Sequence, residues 1–121
     1  MVSPWDVLDR LEQFIDIDES EKDTALAVCV INLGTVRAKL KKDIDLKDVR
    51  ITQAAAAMSL YDLAVKSAAD GNGDITSFKA GDVTVSRTNQ SFIEYASKIK
   101  SEALSDLSPL LNDNEVYFVI T

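Results

Sequence analysis

The residues with the most chemical promise are Asp70, Asn72 and Asp74, spaced two apart in DGNGDITSFKAG (70–81). Oxygen ligands at alternate positions begin a twelve-residue calcium loop, which also needs a glycine at its sixth position and a bidentate glutamate at its twelfth. Here the sixth position is Ile75 and the twelfth is Gly81, so the two most demanding positions fail. The sequence therefore predicts a helix stop and a turn at Asp70-Gly71-Asn72-Gly73, with no metal and no cofactor. A second acidic group, Asp16, Asp18 and Glu19, could serve a divalent metal in a small enzyme. It lies in DIDES, which reads more simply as a solvated linker, and no second cluster accompanies it.

Nucleophilic chemistry has little to work with. Histidine is absent, which removes every Ser–His and Cys–His arrangement. The single cysteine, Cys29, stands in TALAVCVINL far from any charge and reads as a small core hydrophobe. One cysteine also excludes an internal disulfide. No catalytic residue is expected, and the chain is read as a non-enzyme.

The net charge of −7 is unevenly placed. Residues 1–24 carry eight acids and two bases, whereas RAKLKKDIDLKDVR (37–50) carries six bases and three acids. An acidic chain is a poor candidate for gripping nucleic acid, because duplex affinity comes largely from cations meeting phosphates. The start, MVSPWDVLDR, has neither the basic opening nor the apolar run of a secretory signal. No stretch approaches the ~20 apolar residues of a membrane helix.

The elements that must position these residues are mostly helical. Ser3-Pro4-Trp5-Asp6 has a cap, a proline at the first helical position and an acid three past the cap, opening a helix over about 4–15. A second helix is expected over about 20–41, apolar nearly all round in its first half and therefore buried on several sides. Its basic end also suits the negative pole of a helix. A third helix, about 46–69, contains four consecutive alanines that let a neighbour approach closely. A fourth, about 89–107, carries the stripe Phe92, Ala96, Ile99, Ala103 and Leu107 before Pro109 breaks it. Leu26, Val30, Leu33, Leu60, Leu63, Ile99 and Leu107 are the expected core. Between the third and fourth helices, ITSF and VTVS flank KAGD as a short hairpin (about 75–87), and VYFVIT ends the chain as a β-like run. The expected architecture is a single mainly α domain (1–121) with this hairpin and a short C-terminal strand.

Three segments carry a resemblance to the head–tail connector family of tailed bacteriophages, also called head-completion or adaptor proteins. They are the alanine-rich helix AAAAMSLYDLAVKSAA (54–69), the segment SFKAGDVTVS (77–86), and LLNDNEVYFVIT (110–121). SFKAGDVTVS looks like the S-x-x-x-GD-V-x-V segment of prophage versions. In layout the likeness covers about residues 3–121, and it is specific over 54–121. It implies a small, mainly helical virion protein, assembled in the bacterial cytoplasm, that forms a ring beneath the portal. Such a ring extends the DNA channel without specific DNA binding and docks tail or stopper proteins, with no catalytic residues to carry over.

A ring needs a head-to-tail interface of two different patches. The acidic N-terminal quarter and the basic 37–50 segment are two such patches. Phe78, Lys79, Val83, Val85, Tyr117 and Phe118 are the expected interface residues, because free strand edges recruit further strands. The alternative is a non-catalytic adaptor or regulatory domain of unrelated function.

Overall fold

The computed structural model describes residues 2–70, 77–80, 83–86 and 89–112, with side chains for 2–66 and 92–112. Its described part is mainly helical, in the order α1 (Pro4–Leu11), α2 (Lys22–Ala38), α3 (Val49–Asp70) and α4 (Asn89–Leu107). Between α3 and α4 two four-residue segments, β1 (Ser77–Ala80) and β2 (Val83–Ser86), run antiparallel. The expected C-terminal strand lies outside the described residues.

The N-terminus of α1 is fixed as its sequence dictates. Ser3 Oγ accepts the Asp6 amide at 3.3 Å, and Asp6 Oδ2 accepts the Ser3 amide at 2.9 Å. Two otherwise orphaned donors are thereby satisfied reciprocally, with Pro4 in the first turn. The Ser3 amide and the Ser3 hydroxyl, which donates to the same Oδ2 at 3.1 Å, hold the Asp6 carboxyl below its ordinary value. The helix stops at Leu11 rather than running to residue 15. There the chain tightens: the amides of Gln13 and Phe14 bond to the carbonyls of Arg10 and Leu11, three residues back. Phe14 and Ile15 still reach the core, but from a turn.

A short 3-10 turn, Glu19–Glu21, precedes α2, so the α-helix itself begins two residues later than expected and ends at Ala38. The side chain of Asp48 sets the start of α3. Its Oδ1 accepts the Arg50 amide at 2.9 Å, which places the helix start at Val49 rather than residue 46.

α3 is the spine. It packs against α1, α2 and α4, and every residue from Ala54 to Leu60 is buried. Ala54, Ala55, Ala56 and Ala57 have no exposed surface, so their methyl groups let neighbours approach from several sides. The core runs from Val2 and α1 through α2 and α3 to Phe92, Leu104 and Leu107 of α4. After α4, the 3-10 turn Ser108–Leu110 leads back to the end of α2. Lys41 N–H donates to the Leu110 carbonyl at 2.9 Å, and Asn112 N–H to the Lys39 carbonyl at 3.0 Å.

Of the expected core residues, Leu33, Leu60, Leu63 and Leu107 are buried, and Leu26 and Ile99 are partly buried against the cluster. Val30 is not a core residue: half its surface is exposed. The face α2 buries holds Ala25, Cys29, Asn32, Leu33 and Val36. At about 100° per residue, Val30 lies more than 90° from the centre of that face. The expectation that α2 is buried on several sides is corrected with it, since Ala27, Val30, Ile31 and Gly34 are all exposed.

Candidate functional site

The expected interface residues divide into two groups. Phe78, Lys79, Val83 and Val85 lie in the backbone of β1 and β2, where Phe78 stands opposite Val85, Lys79 opposite Thr84 and Ala80 opposite Val83. Their side chains, and Tyr117 and Phe118 altogether, lie outside the described residues, as does the 71–76 part of the failed calcium loop. Among the described residues, no group of three or more acids or cysteines could hold a metal ion. No helix there is long and apolar enough to cross a membrane.

Three features escaped the sequence reading. The first is a cleft of about 670 Å³ where α1, the start of α3 and the late turns of α4 meet. Its charged lining includes Asp6, Arg10, Lys47, Arg50 and Asp106. Two of its cations are already engaged. Arg10 donates through Nε to Gln53 at 2.6 Å and through Nη1 to Gln13, and lies 4.8 Å over the Phe14 ring. Arg50 forms a fork on Asp48 at 3.0 and 2.8 Å. That fork, with the Arg50 backbone N–H, draws the Asp48 carboxyl down to about 2. An arginine committed to an acid of its own loop is a weak trap for an outside anion.

The second is a polar bridge between α2 and α3. Asn32 Nδ2 donates to Ser59 Oγ and to Asp62 Oδ2, each at 3.0 Å, and Ser59 Oγ donates back to the Ala55 carbonyl at 2.8 Å. Asn32 and Ser59 are the buried polar residues among those described. Cys29 lies on the same buried face, and burial pushes its thiol up, away from the reactive thiolate. Cys29 is thus inert packing, in keeping with its uncharged surroundings in sequence.

The third is the outer face of α2. Thr24, Ala27, Val30, Ile31, Gly34 and Ala38 are exposed there. Ile31 keeps 67% of its surface and Val30 50%. A methyl group built at Gly34 would meet nothing within 4 Å, so this strip is open. The signal was present in the sequence: no charged residue occurs from Thr24 to Val36. The charges gather at the two ends. Asp16, Asp18, Glu19, Glu21 and Asp23 oppose one base, Lys22, at the N-terminal end, and Arg37, Lys39, Lys41 and Lys42 stand at the other. Seventeen residues at 1.5 Å separate the two ends by about 25 Å.

No family model matches the chain, and no curated protein or solved structure matches it either.

Proposed function

We propose that this chain is a non-catalytic assembly protein that works by contact with other protein subunits, of the head–tail connector kind that its sequence resembles. In this reading it binds the portal as a ring, extends the DNA channel and joins the filled capsid to the tail. The observation that carries it is the separation of charge on a small helical body, acidic at one end of α2 and basic about 25 Å away. Two unlike patches at a distance are what a closing head-to-tail contact requires. A ring of copies carrying −7 each would be a strongly anionic assembly, which repels phosphates rather than holding them. Phe78, Lys79, Val83, Val85, Tyr117 and Phe118 would then supply the strand edges that meet portal or tail.

The test is direct. Purified portal rings are mixed with the chain and the mass of the complex is measured, and particles assembled without the chain are viewed by electron microscopy. Saturable binding to the portal, with filled but tailless heads in its absence, supports the reading. Normal tailed particles and no portal binding overturn it.

A second reading has its own observation. Val49, an apolar residue that lines the cleft, is 74% exposed. An adaptor could seat a partner's peptide there. Its mark would be a partner-dependent loss of affinity in Val49→Asp with portal binding absent altogether.

A further inference from the structure

We infer that the outer face of α2 is a self-association surface, on which α2 of a second copy of this chain lies antiparallel. The inference does not rest on the connector reading. It begins with an imbalance in α2: one face is buried against the bundle, and the opposite face is equally free of charge but open to solvent. Ala27, Ile31, Gly34 and Ala38 recur at spacings of four, three and four along that face. This is the seam spacing of a helix that packs on another helix. Small residues at three of the four places permit a close approach of two backbones, with Ile31 and Val30 at the centre as the apolar contact.

Charge complementarity chooses the occupant and the direction. The strip is centred near Ile31, so a two-fold axis there sets Thr24 and Ala27 of one copy beside Gly34 and Ala38 of the other. It also carries each acidic end, with Glu19 and Asp23 exposed, to the partner copy's basic end, with Lys41 and Lys42 exposed. A parallel arrangement would instead bring acid to acid and base to base. An isologous pair satisfies both ends with one patch. The strip is small: fifteen residues span about 22 Å. A stable interface buries roughly 800 Å² per partner, which a single helix pair hardly reaches. The association is therefore expected to be weak, with Kd of about 10–100 µM, and weakened roughly tenfold between 50 mM and 1 M salt because exposed charges are screened.

Sedimentation of the full chain from 1 µM to 1 mM tests this. The expected result is a shift from 13.2 kDa to twice that mass. Ile31→Glu should abolish the shift while leaving helical content, and the melting temperature measured at 1 µM, unchanged. Two charge-reversed chains, Glu19→Lys/Asp23→Lys and Lys41→Glu/Lys42→Glu, should each stay monomeric, and should form a 1:1 pair when mixed. A chain monomeric at 1 mM overturns the inference, as does a dimer indifferent to Ile31→Glu. So does a fall in the melting temperature of Ile31→Glu below that of wild type at 1 µM, where both chains are monomeric, which would mean that the chain covers this face itself. Larger assemblies built through the same residues would overturn the two-fold geometry. The two-fold pair and the connector's head-to-tail contact compete for the same acidic and basic ends, so larger assemblies through those ends would count for the connector reading, while portal binding is read in its own assay.

Discussion

Asn32→Asp should turn a stabilising bridge into a pH-dependent fault. The substitution keeps the shape of the side chain but replaces the amide nitrogen, which donates to Ser59 and Asp62 at 3.0 Å, with a carboxylate oxygen. Two donated bonds vanish, at about 1 kcal/mol each. A second negative charge arrives about 3 Å from Asp62, where an effective dielectric of 20 gives a repulsion of about 5 kcal/mol, reduced by the exposure of Asp62. The folded chain limits that repulsion by taking up a proton. Holding a carboxyl of ordinary pKa near 3.9 protonated at pH 7 costs about 4 kcal/mol, which caps the electrostatic part. The total at pH 7 is then about 4–6 kcal/mol, against about 6–18 kcal/mol for a chain of this length. The folded-state pKa of the new carboxyl is raised, so between pH 4 and pH 7 the folded state binds more protons than the unfolded state. Stability relative to wild type must therefore fall as pH rises, and the deficit should shrink to about 1–2 kcal/mol near pH 4. Urea unfolding followed by circular dichroism at pH 4, 5.5 and 7 measures it. Asn32→Leu, which removes the donors but adds no charge, should show a deficit that hardly changes with pH. Adding Asp62→Asn to Asn32→Asp removes the like-charge pair and restores a donor across the 32–62 contact, and should recover part of the loss. An equal deficit at pH 4 and pH 7, or no recovery in the double variant, would refute the bridge.

Three further outcomes follow from burial and charge. Leu60→Ala, at a position with no exposed surface, should cost about 2–5 kcal/mol, while Val30→Ala should stay within about 0.5 kcal/mol below 1 µM chain; denaturant unfolding of both separates a core site from an open face. The Asp48 carboxyl should titrate with a midpoint of about 2 by NMR and return toward about 4 in Arg50→Gln. Its pKa is depressed, so its contribution to stability is present above pH 4 and fades as pH falls toward 2. Cys29 should react with a thiol reagent only at the rate of unfolding, because it is buried and its thiol is held protonated; fast labelling of the native chain would contradict this placement.

How far the sequence could be read depended on whether a signal was local. The cap at Ser3-Pro4-Trp5-Asp6, the proline at 109 and the stripe from Phe92 to Leu107 are decided within a turn or two of chain, and α1 and α4 begin, and α4 ends, where those signals put them. The end of α1 was not local. Phe14 and Ile15 keep helical spacing, and only the packing of the following turn shows that they reach the core without a helix beneath them. The start of α3 was ambiguous because Asp45 and Asp48 are both able to cap. Asp45 accepts the Lys47 amide in a preceding turn, and Asp48 accepts the Arg50 amide at the helix start itself. The polar bridge was invisible for another reason: Asn32 and Ser59 are 27 residues apart, and neither pattern nor propensity connects them.

The outer face of α2 shows why an all-round apolar helix cannot be assigned from periodicity. Such a helix can be buried on every side by its own chain, or buried on one side by its chain and on the other by a partner, and the two cases have the same composition. What separates them is how many neighbours the rest of the chain can supply. α3 has α1 and α2 on it as well as α4, and its alanines admit all three closely. α2 has α1 and α3 on one face, and none of the described elements covers the other. Leaving Ile31 and Val30 in water forgoes about 25 cal/mol for each Å² of apolar surface they would bury. A lysine or glutamate at either place would have relieved that cost without disturbing the core. The chain instead keeps thirteen uncharged residues in a row and gathers opposite charges beyond each end, an arrangement that becomes favourable once a second acidic-to-basic helix lies along the first.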